Sequence, residues 1–529
     1  MNSITRRQFA LLAAAAAAAS GTSSVTFAQG SRSITSAENL PKNLDPHQLL
    51  DPPMVKYATN VYDTLYRYVD NPPKQIPWLA LSHTVSPDNR EWEFTLREGV
   101  RFHDGSALTA EDVVYSFQRV LGVGLGPSSA FRAILKSNNI TAKAPNIVAF
   151  KLDAASGPFL SALALVPIVN KRVIAPHEKD KDWGATWLAS NEAGSGAFRL
   201  NPATYVPVNR IDIERNPDHF YGWSDNPSPV DKVFFRPTRE ASTRVLALLN
   251  GEIDWTDSNL TAEQVERIAA SERARIEEHV ALRTFLIRMN NSKAPFNNLN
   301  ARLCFAHAFN YDGFIKEVLK GGAQRNPIPM PKNLWGAATD VAGYEYDLDK
   351  SKSYFRKAVA EGAPMRRTIE IHTQSEHEQH SIAAEMLQAD LSTVGVNLKI
   401  VPNIWTNIST MAGKAETSPD MWIHWVSATF VDPENWLGQM YDSRFWGTWK
   451  ASSWYKNPKV DDLLQQARSL VKQEERAPIY EQANREIVAD SVDIWIYNQI
   501  EKRGVSKRVG GYRYTPVNGG ADLRWIRIT

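Results

Sequence analysis

The 529-residue chain contains a single cysteine, Cys304, so no disulfide bond can form within one copy of it. Its neighbours Leu303, Phe305 and Ala306 are apolar, which is typical of a small core residue and not of a reactive thiol. The sequence also lacks the G-x-S-x-G pattern of hydrolases and the H-E-x-x-H pattern of zinc peptidases. We therefore expect no catalytic residue, no metal site and no cofactor.

An excess of charge of one sign is missing as well. The chain has 60 basic and 58 acidic residues, and two of the basic residues, Arg6 and Arg7, precede Ala28 while every acidic residue follows it. The chain beyond Ala28 is thus formally neutral. Neither a nucleic acid nor an anionic membrane surface is favoured as a partner by this balance.

Long hydrophobic runs are also scarce. The apolar stretch at residues 10–19 is too short to cross a bilayer, and it lies between Arg6-Arg7 and the small-residue site Thr26-Phe27-Ala28. We predict that residues 1–28 are a cleaved signal peptide, with a twin-arginine pattern at residues 5–9 or, alternatively, an ordinary secretory signal. No cysteine lies near the cleavage site to carry a lipid anchor. A periplasmic monomer is expected.

Aromatic side chains are abundant, with 16 Trp and 17 Tyr. Such rings suit the walls of a ligand pocket, and core packing is the alternative. Helical and strand patterns alternate through the second half of the chain. Helices are predicted over residues 348–360, 381–393 and 461–489, the last broken near Pro478, and strands over residues 283–289, 367–372, 396–401 and 493–497. The alternation predicts an α/β fold with open sheets.

The most informative segment covers residues 61–120. Residues 91–97 alternate polar and apolar side chains, which predicts a half-buried strand. Phe102-His103-Asp104-Gly105 then forms a turn, and Thr109 is placed to begin a helix with Asp112 three residues later.

This segment resembles the extracytoplasmic solute-binding proteins of family 5, which serve peptide, dipeptide, oligopeptide and nickel ABC importers. Asn43-Leu44-Asp45-Pro46-His47, residues 193–198 and residues 290–310 resemble further motifs of the family. The resemblance implies an α/β, two-lobe periplasmic binding protein fold of type II, in its large three-domain variant, with the ligand cleft between the lobes. It also makes His103-Asp104 part of a structural turn.

The resemblance implies a discontinuous first lobe. Lobe I is expected to comprise residues 29–64, 191–280 and 491–529, with an inserted middle domain at residues 65–190 and lobe II at residues 281–490. The chain would cross between the lobes near residues 279–289 and 489–497. Closure of the lobes around a ligand would be a hinge motion.

Residues 420–441 are the predicted pocket segment, because an aromatic-rich strand there runs into a loop, and open α/β sheets bind ligands beyond the carboxyl ends of their strands. The resemblance adds two residues of the pocket wall. Trp425 and Trp405 are predicted pocket walls, with buried structural aromatics as the alternative, and Asp432, Asn435 and Tyr497 complete this part of the predicted site. Peptide binders of the family carry an Asp where this chain has Ala428, and dipeptide binders carry an Arg where it has Ser381-Ile382. A standard dipeptide is consequently not the first expectation.

Because the Asp and the Arg of the relatives are replaced in this chain, other side chains would have to bind the charged ends of a ligand. His372, His377 and His380 form the single histidine cluster of the sequence. The cluster could be solvated structure, a transition-metal site or a contact for an anionic group. We include His377 among the predicted ligand contacts, commit to no metal, and consider Arg288 an alternative anion receptor.

Taken together, these features predict the substrate-binding component of an ABC importer, with a permease and ATPase complex as its partner. The expected solute is a peptide or a peptide-like compound. An opine or an oligosaccharide is an alternative ligand, and a ligand-sensing module is an alternative class of function.

Overall fold

The computed structural model describes residues 32–238, 240–258, 260–375, 377–517 and 522–529. The predicted signal peptide at residues 1–28 lies outside the described residues. No helix in the described ranges combines the length and the apolar character that a bilayer crossing requires. Cys304 is fully buried, and burial raises the pKa of its thiol to about 11, so the prediction that it is a core residue is confirmed.

Eleven strands of the described residues form a central mixed sheet. In spatial order they are β15 (Leu398–Asn403), β14 (Ile369–Gln374), β16 (Met421–Ser427), β12 (Ala274–Met289), β17 (Asp493–Ser506), β11 (Trp255–Thr256), β1 (Ser33–Ala37), β10 (Lys232–Phe235), β9 (Ile211–Arg215) and β8 (Phe198–Leu200), with β13 (Ala323–Arg325) paired to β17. Strands β14, β15 and β16 are parallel, whereas β12 runs antiparallel to both β16 and β17.

Three smaller sheets complete the β structure of the described residues. They contain β4 (Ala80–Val85), β5 (Glu91–Leu96), β7 (Ile147–Lys151) and β6 (Ile140–Ala144) in one sheet, β2 (Tyr66–Val69) with β3 (Lys74–Pro77) in another, and β18 (Val509–Gly510) with β19 (Arg527–Ile528) in the third. The alternating burial along β5 is that of the half-buried strand predicted at residues 91–97.

Helices alternate with many of these strands along the described chain. Those of eight or more residues are α1 (Pro52–Val61), α2 (Ala110–Val123), α3 (Ala241–Asn250), α4 (Ala262–Ala269), α5 (Leu299–Ala308), α6 (Leu348–Ala360), α7 (Glu378–Val394), α8 (Trp405–Ala412), α9 (Pro458–Ser469) and α10 (Gln473–Ala489). Helix α2 begins after Thr109, whose backbone N–H donates to the Asp112 carboxylate at 2.9 Å, as the sequence predicted.

The predicted break in the helical segment at residues 461–489 is in the wrong place. The pattern at residues 461–489 predicted a break near Pro478, but the structure has two helices, α9 and α10, separated at residues 470–472. Pro478 lies inside α10. It is close to the start of that helix, so its missing N–H removes only a bond to the first turn and the helix continues.

Two long antiparallel strands, β12 and β17, pair at the middle of the central sheet. Strand β12 has 16 residues and β17 has 14, and they pair from Ala274 with Ser506 to Arg288 with Asp493. The register shifts between Val280 and Thr284, inside one of the two predicted crossings. The division of the chain into two lobes and a middle domain stays a prediction, and these strands are its proposed hinge.

The family motifs contact one another. His103 contacts Glu192 (Nδ1 to Oε1, 2.8 Å) and the Gly196 carbonyl (Nε2 to O, 3.0 Å), so the first turn is joined to the motif at residues 193–198. Arg119 on α2 donates to both oxygens of the fully buried Asp45 at 2.8 and 2.7 Å. The two contacts of His103 with other parts of the fold agree with a structural role for the turn at residues 102–105.

Candidate ligand-binding site

Strands β16, β12 and β17 bring three aromatic residues onto one face of the sheet. Phe285 is directly opposite Trp425 on one side and Tyr497 on the other. Its ring centroid lies 5.3 Å from that of Trp425 and 4.8 Å from that of Tyr497. The Trp425 indole N–H donates to the Tyr497 hydroxyl at 3.0 Å. We call Phe285, Trp425 and Tyr497 the aromatic face.

The start of helix α7 packs over the aromatic face. His377 meets the Trp425 ring edge-on at 4.9 Å, and His380 lies 4.4 Å from the same ring. The Tyr497 hydroxyl donates to Oε1 of Gln379 at 2.9 Å. The structure therefore brings together three predicted site residues, Trp425, Tyr497 and His377, from elements far apart in the sequence.

The histidine cluster does not form a metal centre in the described ranges, where no group of three or more His, Cys, Asp or Glu side chains is placed to hold an ion. His380 is fully buried, and its Nδ1 accepts a hydrogen bond from the backbone N–H of Gln374 at 3.3 Å. Burial above all, together with His377 and Arg283, lowers the pKa of His380 from 6.5 to about 3. The imidazole is therefore neutral at physiological pH.

A neutral, buried His380 predicts acid sensitivity. Below its ordinary pKa of 6.5 the unfolded chain binds a proton that the folded protein does not take up until about pH 3, so stability is full above 6.5 and falls as the pH falls through this window. His380→Gln should reduce the loss of unfolding free energy between about pH 7 and about pH 5 by about 2 kcal/mol. Urea unfolding of the wild type and of His380→Gln at several pH values measures this difference in unfolding free energy.

The exposed His177 provides the control for this prediction. His177→Gln removes a histidine from an exposed position, and its pH profile of stability is the one with which that of His380→Gln is compared. An unchanged pH profile in His380→Gln would contradict the neutral, buried state of this imidazole.

Trp405 does not join the aromatic face. Its ring centroid lies 5.0 Å from that of Trp449 and 6.0 Å from that of Trp422. Trp422 and Trp425 are three residues apart on β16, so their side chains point to opposite faces of the sheet. The two predicted walls, Trp405 and Trp425, thus belong to different clusters.

Asp432 and Asn435 hold the loop after β16 together. The Asp432 carboxylate is fully buried and accepts two hydrogen bonds of 2.7 Å from Arg476. Asn435 is equally buried, accepts from the Thr429 hydroxyl at 2.6 Å and donates to the Ser427 carbonyl at 3.1 Å. Neither side chain reaches an open surface, and their positions are those of structural residues.

Arg288, the predicted alternative anion receptor, is also fully buried. Its guanidinium lies 3.1 Å from the Asp493 carboxylate and also donates to the Lys450 carbonyl. A cation that already faces a carboxylate offers little to a ligand.

Arg283 was missed by sequence reasoning. It lies on the same face as Phe285, directly opposite Ser427, and its guanidinium carbon is 4.6 Å from the Trp425 ring centroid. The period of two in a strand separates it from Arg288, which points to the other face. The alternation of side-chain direction along this strand could be derived from the sequence. It identifies Arg283 only once the pairing of β12 with the strand that carries Trp425 is known.

The loop after β16 approaches the first part of the chain. The backbone N–H of Val431 donates to the Tyr68 hydroxyl at 3.3 Å, and that hydroxyl donates to the Ser161 carbonyl at 3.0 Å. A cavity of about 60 Å³ lies beside this contact, bordered by Arg67, Tyr68, Thr429 and other residues. It has room for water and not for a whole solute.

Comparisons with known proteins agree with this architecture. The family described as bacterial extracellular solute-binding proteins, family 5 Middle, matches residues 74–448. The Probable D,D-dipeptide-binding periplasmic protein DdpA of Escherichia coli (strain K12) is 29% identical over 441 residues, which cover 83% of this chain and 82% of that protein. The periplasmic oligopeptide-binding protein OppA of Salmonella typhimurium is 24% identical over 548 residues, covering 97% and 96%.

A solved structure extends the likeness to the fold. The ABC transporter-associated periplasmic binding protein DppA from Helicobacter pylori, in complex with peptide STSA, superposes with a TM-score of 0.79 at 26% identity, covering 94% of this chain and 98% of that one. The predicted α/β binding-protein fold is thereby confirmed. Family 5 proteins bind solutes for transport and are not enzymes, which confirms the prediction of no catalytic function. This chain belongs to the bacterial extracellular solute-binding proteins of family 5.

Proposed function

We propose that this protein binds a peptide or a peptide-like solute beside the aromatic face and delivers it to the permease and ATPase of an ABC importer. The observation that carries the proposal is the aromatic face itself, in which half-buried Trp425 is supported by Phe285 and Tyr497 at the end of β16. A ring held in this way offers apolar area to a ligand with little loss of side-chain entropy.

The relatives support the peptide class. DdpA is named for D,D-dipeptides, OppA for oligopeptides, and the DppA structure contains the peptide STSA. Peptides are therefore the first solutes to test, with an opine and an oligosaccharide as the alternatives.

We further propose that the mature protein begins at Gln29 and works as a periplasmic monomer after cleavage of residues 1–28. The periplasmic names of DdpA and OppA and the Arg6-Arg7 pattern support this location. Lobes connected by β12 and β17 would close over the solute, because a ligand stabilises the state in which it makes more contacts.

Native mass spectrometry of the protein purified from a periplasm, without refolding, tests the proposal. We expect a bound mass that disappears on denaturation and that fragments as a peptide. Titration calorimetry with D-alanyl-D-alanine, L-alanyl-L-alanine, peptide STSA, an opine and an oligosaccharide then ranks the classes. Binding of the oligosaccharide or the opine without binding of any peptide would overturn the peptide assignment.

A further inference from the structure

Most buried arginines of this protein face a carboxylate. Among the described residues the pairs are Arg67 with Asp522, Arg119 with Asp45, Arg244 with Asp257, Arg288 with Asp493, Arg476 with Asp432, Arg503 with Glu38, and Arg524 with Asp225. Arg302 donates instead to two backbone carbonyl groups, and Arg325 donates to those of Trp495, Ile496 and Tyr344. Such partners offset the free energy that is lost when a guanidinium leaves water.

Arg283 departs from this pattern. Its Nη1 donates to Oε1 of Gln499 at 3.0 Å, and this neutral amide is its single hydrogen-bond partner among the described residues. Its Nε is buried without a partner. Burial lowers the pKa of Arg283, but a guanidinium keeps its proton at neutral pH. Among the described residues, Arg283 is thus a cation that makes no direct ion pair with a carboxylate.

The charge of Glu501 on β17 acts against the lowering of the Arg283 pKa, but Glu501 accepts no hydrogen bond from Arg283. Glu501 lies two residues beyond Gln499, but its carboxylate accepts hydrogen bonds from Arg503 at 3.0 Å and from the Tyr514 hydroxyl at 3.2 Å. Glu38 is likewise paired with both Lys56 and Arg503. These acids are neutralised by cations of their own.

Arg283 also lies where a solute can reach it. It is half-buried, and the residue directly opposite it on β16, Ser427, is exposed. Ala428 and Thr429, which follow, are half-buried. The guanidinium therefore sits at the open edge of the aromatic face, with the Trp425 ring on one side of it.

We propose that Arg283 is the receptor for a carboxylate of the bound solute, a role that rests on the proposed function. A carboxylate can accept two parallel N–H hydrogen bonds from the planar guanidinium group. The oxygen atoms of amides and sugar hydroxyls fit this pair of donors less well. The Trp425 ring holds the guanidinium group in place by a cation–π contact. The solute class is thereby narrowed to peptide-like acids, bound through a terminal or a side-chain carboxylate.

Gln499→Glu provides the sharpest test, because it offers Arg283 an internal carboxylate in place of the neutral amide at 3.0 Å. The variant keeps the arginine and nearly the same side-chain volume. We expect it to bind D-alanyl-D-alanine, L-alanyl-L-alanine or STSA, whichever the wild type binds best, at least about 30-fold more weakly. Arg283→Gln should show a similar loss, and Arg283→Lys a smaller one. The control is Arg199→Gln at an exposed position.

The C-terminal amide of the same peptide identifies the group that is recognised. Wild-type protein should bind the acid more tightly than the amide, and Gln499→Glu should remove this preference. If a peptide with a glutamate side chain keeps its affinity after amidation, the side-chain acid is the recognised group. If Gln499→Glu and Arg283→Gln bind the peptide as strongly as the wild type, the role of Arg283 is overturned, and the proposed function is unaffected. Failure of the wild type to bind any peptide would overturn the proposed function and this inference with it.

Discussion

Asp432→Ala is expected to lower the free energy of unfolding by about 3–5 kcal/mol, because it leaves the Arg476 guanidinium buried without its carboxylate. Both side chains of this pair are almost entirely shielded from solvent, and two hydrogen bonds of 2.7 Å join them. Arg476 also donates to the Tyr480 hydroxyl at 2.9 Å. Removal of the Asp432 carboxylate therefore perturbs a buried hydrogen-bond network and not a single ion pair. Urea unfolding followed by tryptophan fluorescence measures the change.

The exposed pair of Asp340 and Arg485 is a matched control, because its atoms are 2.8 Å apart but both side chains face solvent. Asp340→Ala should change the free energy of unfolding by less than about 1 kcal/mol. A stable Asp432→Ala variant that no longer binds the solute would show that Asp432 contacts the ligand and is not a structural residue.

Trp425→Ala is expected to weaken solute binding by at least about 30-fold, since large aromatic side chains at the centre of a binding surface dominate its affinity. The substitution removes the ring that contacts Phe285, His377, His380 and Arg283. It also removes the hydrogen bond to Tyr497. Titration calorimetry with the solute that the wild type binds best measures the loss.

Trp446→Ala controls for the general effect of removing a tryptophan. Trp446 is 39% exposed and packs against Trp454. Its replacement should leave the affinity within about twofold of the wild type. If Trp425→Ala also stays within that range, the aromatic face is not the binding surface.

Part of the candidate site was predictable from the sequence. The resemblance to family 5 identified Trp425 and His377, and the site prediction also included Tyr497. These side chains lie together although β16, β17 and the start of α7 are separate in the chain. The same reasoning chose Arg288 as an anion receptor. Side-chain parity on β12 places Arg288 beside Asp493 and leaves Arg283 on the aromatic face.

Trp405 illustrates the limit of reasoning by resemblance. A tryptophan in the right motif can be assigned to a pocket wall, but its ring packs with Trp422 and Trp449 on the other side of β16. Which side of the sheet a ring occupies depends on where α8 packs after β15. That packing is decided by contacts between distant segments.

The sequence by itself determined the local elements and the family. Periodicity of apolar residues predicted α6 at its observed bounds, and the Thr109 and Asp112 pair marked the start of α2, because both signals arise between near neighbours in the chain. Only the tertiary structure decided which charged groups are already paired. Asp432 meets Arg476 and Arg288 meets Asp493 across 44 and 205 residues, whereas Arg283 meets no carboxylate in the described ranges. Ion pairing depends on distances in space, and these are set when the strands take their register.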